Sequence, residues 1–393
     1  MKRLTAILIV LILILCTSCD DRTHHLGSDN TSQSETTTEN NNDDITTTEQ
    51  TEACKHEFNE WSVAESPSCN KEGTKVSSCA LCDEKTSKAI PMLYHNIDND
   101  ACATCGQKAA SNLSFENLDN NTCAVVGIGT CTDDNIIVPS KSPSGKIVSE
   151  IKGEAFANLK NLKSLTLPGS ITVVRSFAIY KCPSLKTIGL CNGINKIMFS
   201  AIYECTALEE LYFPQSVVLE PAPAVYCVEL VAITVDNSNP AIYSETNCII
   251  DKSNMYVIAG CGTSVIPEGV TGIERLAFYG CNNIVNIDIP DSVTYIGREA
   301  FAYCSSLKSI EFPQSVKEIY YSTTYGCSAM EYIIYPEGLS VIEARQFGDC
   351  KSLTHVYFRG TEAEWNALKL KDSYGDEWNK DTKKIQFVYE YNG

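Results

Sequence analysis

A cysteine that returns at a fixed interval of 23 residues is the feature that most constrains how this 393-residue chain can fold. An apolar residue follows the cysteine after three positions, a second after three more, and a third after another two. The reference position is held by Leu159, Cys182 and Cys205, by Cys227 one residue early, and by Cys281, Cys304, Cys327 and Cys350. Such a period predicts a stack of similar coils, each burying its apolar side on the next.

Each repeat contains one short strand. The unit from Ala300 to Ile319 reads AFAYCSSLKSIEFPQSVKEI, and its apolar residues follow the LxxIxI pattern that is typical of leucine-rich repeats. Proline after the strand ends it without the loss of a ladder hydrogen bond. The AFxxC half predicts a short helical turn on the convex side. We therefore expect an α+β solenoid with a parallel sheet on its concave side.

The repeat, roughly AFxxCxxLxxIxxPxxVxxIG, resembles the BspA-like subclass of bacterial leucine-rich repeats from Asn112 to Gly393. GIGTCTDDNIIVPS resembles the opening segment of that family, and VDNSNPAIYSETNCIIDKSNMYVIAG its longer coil. The resemblance implies a cell-surface protein that adheres to host extracellular-matrix or other cell-surface proteins. Two units depart from the pattern, because Ala222–Cys227 lacks the phenylalanine and Thr324 replaces it in another, and we expect looser packing there.

The N-terminus predicts export. Lys2 and Arg3 precede an apolar run from Leu4 to Leu15, which is too short for a confident membrane span. The following residues resemble a bacterial lipoprotein box in which Cys19 receives the lipid, although Cys16 departs from the usual aliphatic residue. A lipid on Cys19 would hold the protein on the membrane at the bacterial surface. An ordinary cleaved signal or an uncleaved apolar anchor are the alternatives, and all three export the protein.

Changes in composition divide the chain into five parts. They are a lipoprotein signal peptide at 1–19, a disordered Ser/Thr/Asn/Glu-rich tether at 20–53, a Cys/His-rich module at 54–110, the repeat domain at 111–358 and a C-terminal cap at 359–393. The tether has too few apolar residues to offset the entropy of ordering its backbone. In the cap, Thr361 and Glu364 predict a capping box, with Trp365 and Leu368 on one helix face, and IQFVYEY predicts a last strand.

The module at 54–110 contains two CxxC pairs separated by nineteen residues, a spacing that suits a structural four-cysteine zinc site. The predicted ligands are Cys79, Cys82, Cys102 and Cys105, and candidates for a second site are Cys54, His56, Cys69 and His95. A disulfide between Cys54 and Cys69, disulfides throughout the module, or a redox-active CxxC are the alternatives. The module resembles zinc-ribbon-like segments found beside repeat domains in surface proteins of gut Firmicutes.

The repeated cysteines invite comparison with a disulfide ladder. Equivalent side chains on stacked coils point in the same direction, so their Cβ vectors run parallel and do not converge on each other. Leu159 holds the same position in another coil, where it can replace a packing group but not half of a disulfide. We therefore expect buried thiols that act as small apolar groups. Among the cysteines outside the register, Cys123 and Cys131 are a candidate pair.

The sequence gives no support for catalysis, and we expect no enzyme. Only five histidines are present, His355 is the one in the repeats, and no phosphate-binding loop or HExxH motif occurs. The 49 acidic and 31 basic residues give a net charge of −18, which disfavours nucleic acid as a partner.

The function that remains is recognition by a surface. Alternation along each LxxIxI strand predicts outward-facing residues at Ser164 and Thr166, Glu210 and Tyr212, Asn286 and Asp288, Ser309 and Glu311, Tyr332 and Ile334, and His355 and Tyr357. From these the predicted protein-binding residues are Tyr212, Asp288, Ser309, Glu311, Tyr332 and Tyr357. The alternative is that they are ordinary strand-formers on a solvated sheet. The chain would then be a spacer of the cell envelope without a specific ligand.

Overall fold

The computed structural model describes residues 59–60, 62–66, 73–82, 84–90, 97–98, 101–371 and 385–393, and the chain forms two compact units, 1–92 and 93–393. Several predicted features lie outside the described residues. They are the signal peptide with Cys19, the tether at 20–53, and the candidate ligands Cys54, His56, Cys69 and His95.

The first unit contains a three-stranded antiparallel sheet whose strands pair in chain order. The strands are Ser62–Glu65, Gly73–Ser78 and Lys85–Ile90. Their second hairpin is closed by a hydrogen bond from the backbone N–H of Cys79 to the carbonyl oxygen of Glu84, 2.8 Å away. The first CxxC pair therefore lies in a tight turn at one end of this sheet.

The second unit is a β-solenoid in which each coil contributes up to three short strands. Equivalent strands of successive coils pair in parallel, and the register advances by 23 residues, as in the row Ser309, Tyr332 and His355. The repeat period and the parallel strands predicted from the sequence are therefore confirmed. We call the three rows of strands ladder A, just before the reference cysteine, ladder B, which carries the LxxIxI residues, and ladder C, after the proline turn.

The strands of the three ladders have the following bounds. Ladder A consists of Phe156–Ala157, Ile179–Tyr180, Ile202–Tyr203 and Ala224–Val225. Ladder B consists of Asn135–Ile137, Ser164–Leu167, Thr187–Leu190, Glu210–Phe213, Ala232–Val235, Ser309–Glu311, Tyr332–Tyr335, His355–Phe358 and Gln386–Val388. Ladder C consists of Thr122–Gly127, Ile147–Ile151, Val173–Val174, Lys196–Ile197, Val218–Leu219, Gly272–Ile273, Tyr295–Ile296, Glu318–Ile319, Val341–Glu343 and Lys369–Lys371.

Antiparallel strands occur at the start of the unit and in the longer coil. The hairpin Ile97–Asp98 with Ala101–Cys102 comes first, and Ser114–Asn117 then pairs with the first strand of ladder C. The longer coil contains Ile242–Glu245, Cys248–Asp251 and Tyr256–Ala259, and the last of these pairs in parallel with the next ladder C strand.

The core lies inside the coils, where the middle residue of each LxxIxI strand points. The residues of this column that are no more than 1% exposed are Leu165, Ile188, Leu211, Ile233, Ile310, Ile333 and Val356. Burial of each such side chain contributes about 1.5–3 kcal/mol, so the column is a main source of stability. The apolar repeat therefore sets the inside of the solenoid, as its period predicts.

Each regular coil places two residues, four positions apart, in the left-handed backbone region. The first column, with φ from 51° to 62°, is Glu154, Phe177, Ser200, Ala222, Leu276, Glu299, Ser322 and Arg345. The second column, with φ from 53° to 75°, is Asn158, Lys181, Glu204, Tyr226, Gly280, Tyr303, Gly326 and Asp349.

These two columns explain why the expected helical turn is absent from the described repeats. A left-handed residue ends a right-handed helix, and backbone N–H groups here bond to the next coil, as Phe301 N–H does to the Thr323 carbonyl at 3.0 Å. The segment forms ladder A strands in four coils and turns in later ones. The α+β class is thus not confirmed, since the one α-helix of the described residues, Glu362–Ala367, lies in the cap.

The repeated cysteines are buried thiols without disulfides, as expected. Several of these thiols also donate a hydrogen bond to a main-chain carbonyl of the preceding coil. Cys304 donates to Phe278, 3.1 Å away, and Cys327 donates to Phe301, 3.2 Å away. The Phe278 carbonyl also accepts the N–H of Cys281 at 3.1 Å, so the thiol is its second donor. Cys123 and Cys131, the candidate pair, are likewise separate thiols.

The departing coil around Thr324 is filled by polar contacts. Thr324 is fully buried, and its hydroxyl donates to the carbonyl of Gln346 at 2.7 Å. The Gln346 amide in turn donates to the carbonyl of Tyr320, 2.6 Å away. In the other departing coil, Val225 is 1% exposed. Buried polar bonds thus take the place of the missing phenylalanine in the first of these coils.

The C-terminal cap agrees with its sequence. The Thr361 hydroxyl accepts the Glu364 N–H at 3.2 Å, and the Glu364 carboxylate accepts the Thr361 N–H at 2.8 Å, so the predicted capping box is confirmed. Trp365 packs on Phe358, with ring centroids 5.3 Å apart, and Leu368 is buried in the same core. The strand Gln386–Val388 pairs with the last ladder B strand of the repeats.

Candidate binding surface

The outward face of ladder B near the C-terminus forms two rows of side chains across neighbouring strands. One row is Ser309, Tyr332 and His355, and the other is Glu311, Ile334 and Tyr357. Parallel strands place equivalent residues about 4.8 Å apart, so side chains of one row are in contact distance. Predicted site residues from three coils therefore meet on one surface.

Four aromatic side chains gather on this surface, and we call them the aromatic patch: Tyr332, His355, Tyr357 and Tyr391. The Tyr357 ring has its centroid 5.8 Å from that of Tyr332, in an edge-on arrangement, and 5.6 Å from that of His355, in a stacked one. The centroid of the Tyr391 ring is only 4.4 Å from that of Tyr357. Tyr332 remains 37% exposed, while Tyr357 is half-buried by its neighbours. The patch therefore combines fixed rings with accessible aromatic area.

An ion pair borders the patch. Arg359 bonds to the Glu311 carboxylate, and its guanidinium carbon lies 5.8 Å from the centre of the Tyr391 ring. Glu311 and Tyr357 flank Ile334 in the strand register, and Arg359 follows Tyr357 by two residues. A guanidinium that is fixed by a carboxylate and an aromatic ring loses little further entropy when a partner binds it.

The remaining predicted residues lie apart from the patch. Tyr212 belongs to a separate two-stranded part of ladder B, and its hydroxyl donates to the carboxylate of Asp236 at 2.8 Å. Hydrogen bonds from Ser238, first, and then from Tyr212 hold the pKa of Asp236 below its ordinary value, against the effect of burial. Asp288 is exposed in a segment without strand pairing, and Ser309 is half-buried. Only part of the predicted strip is therefore continuous.

Three residues that were expected to face the solvent are buried, and these predictions were wrong. Ser164 is 8% exposed and donates to the side chain of Asn135 at 2.8 Å, while Thr166 is 2% exposed between its neighbours on both adjoining strands. Ile334 is 6% exposed because Glu311 and Tyr357 flank it in register. Burial at these positions depends on the adjoining coils, which alternation along a single strand does not reveal.

Two members of the surface, Tyr391 and Arg359, were not predicted. Tyr391 lies in the cap and is held by a hydrogen bond, 3.3 Å long, from its backbone N–H to the Phe358 carbonyl. It has no place in the 23-residue period, so the repeat could not point to it. Arg359 directly follows the last repeat strand, and its position two residues after Tyr357 is a signal that alternation could have used.

The CxxC pairs of the predicted zinc site each form a turn. Cys79 Sγ accepts the N–H of Leu81 at 3.3 Å, and the carbonyl of Cys102 accepts the N–H of Gly106 at 2.8 Å. Such turns suit thiolate ligands. One pair belongs to the first unit and the other to the second. No group of three or more His, Cys, Asp or Glu side chains in the described parts of the chain could hold a metal ion, and the zinc site stays a prediction.

A parallel β-solenoid with one LxxIxI strand in each 23-residue coil defines a leucine-rich repeat protein. The chain belongs to the family described as BspA type leucine rich repeat region (6 copies), which matches residues 135–256 and 249–369. A search of curated proteins gives no match. No helix in the described ranges has the length and apolar character needed to span a membrane.

Several solved structures of bacterial proteins are similar to this chain. A leucine rich cell surface protein from Faecalibacterium prausnitzii A2-165 is 21% identical, with 67% of this chain and 98% of that chain covered and a TM-score of 0.37. A leucine-rich repeat protein from Bacteroides ovatus is 18% identical, with coverage of 71% and 78% and a TM-score of 0.43. The pneumococcal vaccine antigen PcpA is 15% identical, with coverage of 68% and 93% and a TM-score of 0.39.

Proposed function

We propose that this protein is a non-catalytic binding protein of the bacterial cell surface, which uses the aromatic patch to bind a protein partner. The observation that carries the proposal is the convergence of Tyr332, Tyr357 and Tyr391 beside the Arg359–Glu311 pair. Tyrosine and arginine are enriched among the residues that dominate the energetics of protein interfaces. Tyrosine supplies a large contact area with few flexible torsions, and arginine supplies a planar group with several hydrogen-bond donors.

Membership in the BspA type family supports a role at the cell surface, and the N-terminal signal supports export. Within this proposal, Cys19 carries a lipid and the tether at 20–53 holds the folded units away from the membrane. The partners are host extracellular-matrix proteins or proteins of neighbouring cells, in adhesion. Loss of metabolic palmitate labelling in Cys19→Ala would support the anchor, and retained labelling would contradict it.

Binding can be measured by surface plasmon resonance, with the full chain immobilised and extracellular-matrix proteins as analytes. We expect saturable binding to at least one of them, weakened about tenfold or more in Tyr357→Ala and Tyr332→Ala. Tyr212→Ala, on a separate part of ladder B, should have a smaller effect. Unchanged binding in the first two variants would contradict the assignment of the site to the aromatic patch.

The competing function is that of a spacer in the cell envelope, whose repeats display or brace other components. The many exposed polar residues of the coils suit this role as well. A spacer predicts no saturable binding to any analyte. The same titration therefore distinguishes the two functions.

A further inference from the structure

A second aromatic surface lies along ladder A and along the turns that take its place in later coils, away from the ladder B strands of the aromatic patch. We call it the tyrosine stripe, and it consists of Phe177, Tyr180, Tyr203, Tyr226, Tyr279, Tyr303 and Tyr325. Its rings form a continuous chain of contacts in both halves, with centroids 5.1–6.1 Å apart. Tyr203, Tyr226 and Tyr279 pack against one buried cluster, which joins the two halves. The stripe thus runs along the solenoid axis, across the strands.

Several members of the stripe stand where the backbone disfavours a bulky residue. Phe177, Tyr226 and Tyr303 have φ values of 56°, 56° and 59°. At the position of Tyr226 and Tyr303, equivalent coils hold Gly280 or Gly326, which adopt it without strain, whereas the column of Phe177 contains no glycine. An aromatic residue there is an outlier, and retained backbone strain of this kind is typical of functional surfaces.

A cleft of about 290 Å³ adjoins the N-terminal half of the stripe. Tyr226 belongs to both, and the polar wall of the cleft includes Asn158, Lys181 and Glu204. Lys181 Nζ lies 3.5 Å from the Glu204 carboxylate and 5.0 Å from the centre of the Tyr180 ring. The cleft therefore offers amide, ammonium and carboxylate groups next to aromatic rings.

The direction of the stripe restricts what can bind it. Backbone N–H groups of the stripe already donate to neighbouring coils, as Tyr226 does to the Tyr279 carbonyl at 3.2 Å and Tyr303 to the Tyr325 carbonyl at 2.7 Å. A partner cannot add a strand here, so it has to be recognised by side chains alone. An extended polymer that lies across the coils fits this geometry.

The charge and protonation of the stripe favour a neutral, hydroxyl-rich polymer. Burial raises the pKa of Tyr203 and Tyr303, and the Asp349 carboxylate, with burial second, raises that of Tyr325 to about 12. These phenols stay neutral hydrogen-bond donors at physiological pH. The net charge of −18 disfavours an anionic chain, while carboxylates such as Glu204 and Asp349 are suited to accept hydrogen bonds from hydroxyl groups.

From these observations we infer that the tyrosine stripe and its cleft bind a neutral glycan chain, with sugar rings lying on the tyrosines. The site is separate from the aromatic patch, and this activity goes beyond the proposed protein binding. Aromatic faces contribute contact area and the polar wall orients hydroxyl groups.

Affinity electrophoresis of the full chain tests this inference, with hydroxyethyl cellulose and yeast mannan as neutral probes. We expect at least one of them to retard the protein, and carboxymethyl cellulose, an anionic polymer with the same backbone as the first, to retard it at least tenfold less. A decaproline peptide, examined by calorimetry, represents a proline-rich partner. Retardation by neither neutral polymer, stronger retardation by the anionic one, or binding of decaproline alone would overturn the inference.

Substitutions locate the site. Asparagine tolerates the left-handed region, so Phe177→Asn and Tyr303→Asn remove rings without new backbone strain, and each should weaken retardation up to about tenfold. Tyr303→Phe keeps the ring, so it should weaken the retardation less, by about twofold. Melting temperatures establish that each variant is folded.

Tyr332→Thr, in the aromatic patch, is the matched control and should leave glycan retardation unchanged while it weakens binding of a protein analyte. Retardation that survives both asparagine variants would contradict the stripe as the site. Failure of the glycan assay leaves the protein-binding test of the patch intact, so the two proposals fail separately.

Discussion

The ring of Tyr303 covers the α-carbon of Gly326, the equivalent residue one coil further along the solenoid. A Cβ atom on Gly326 would lie 2.7 Å from Cδ1 of Tyr303. Tyr226 and Tyr325 lie in the same way over Gly280 and Gly348, where the distances would be 2.5 Å. Glycines thus make room for the tyrosine stripe, and the stripe depends on them for its packing.

Gly326→Ala should destabilise the second unit by about 2–3 kcal/mol, because left-handed strain of about 1 kcal/mol adds to the clash with Tyr303. The matched control is Gly145→Ala, since Gly145 has φ +82° but nothing within 4 Å of a built Cβ, and it should cost about 1 kcal/mol. Urea unfolding measures both. Equal losses in the two variants would contradict the packing of Tyr303 on Gly326.

The thiol of Cys304 should contribute to the free energy of unfolding through its hydrogen bond as well as through its packing. In Cys304→Ala the carbonyl of Phe278 loses the thiol, 3.1 Å away, but keeps the N–H of Cys281, and a small cavity forms, so the free energy of unfolding should fall by about 1–2 kcal/mol. The half-buried Cys191 lies outside the repeat register, and Cys191→Ala should cost less than about 0.5 kcal/mol. A similar loss at both positions, measured by urea unfolding, would exclude a special role for the repeated thiol.

Stability should fall in alkaline solution. Burial raises the pKa of the Cys227 and Cys350 thiols from an ordinary value of 9.0 to about 12, so the folded state keeps protons that the unfolded state releases. The stabilisation is complete below about pH 9 and is lost as the pH rises towards 12, by about 1.4 kcal/mol per pH unit for each such thiol.

Urea unfolding between pH 8 and pH 10.5 measures this dependence. The variant Cys227→Ala/Cys350→Ala should show a shallower fall than the natural chain, although it is less stable at pH 8. If the free energy of unfolding falls equally steeply with pH in the variant and the natural chain, these two thiols do not cause the loss of stability.

The sequence predicted those parts of the fold that repeat. The 23-residue period gave the coil, the parallel register and the inward face of ladder B, because identical apolar positions can be buried only when coils stack in register. Local chemistry also sufficed at the cap, where Thr361 and Glu364 form the expected capping box. Both results rest on interactions that act within one coil or between adjacent ones.

The left-handed columns could not be predicted from residue type. The first column holds glutamate, phenylalanine, serine, alanine, leucine and arginine, so its backbone is imposed by hydrogen bonds between coils and not by local preference. The same limit applies to the candidate site. Tyr391, which lies outside the repeats, contacts Tyr357, and Ile334 is covered by side chains of neighbouring strands.

The predicted zinc site can be tested by metal analysis of the purified full chain. We expect about one zinc ion bound by Cys79, Cys82, Cys102 and Cys105 if these four thiolates form one site, with zinc lost in Cys79→Ser and Cys102→Ser. Cys191→Ser, outside the module, should keep the metal content. Absence of zinc, together with a thiol count lowered by four, would indicate disulfides instead.

Tyr335→Phe should stabilise the protein. Tyr335 is fully buried against Phe312, with ring centroids 5.3 Å apart, and its hydroxyl has no hydrogen-bond partner among the described residues. Burial of an unpaired hydroxyl costs about 1–3 kcal/mol, so its removal should raise the free energy of unfolding by about 1 kcal/mol and keep the ring packing.

The matched control is Tyr325→Phe, which loses the bond from the tyrosine hydroxyl to the Asp349 carboxylate, 2.6 Å long, and should be neutral or slightly destabilising. Thermal and urea unfolding of both variants give the comparison, and a lower stability of Tyr335→Phe would show that the hydroxyl is satisfied in solution.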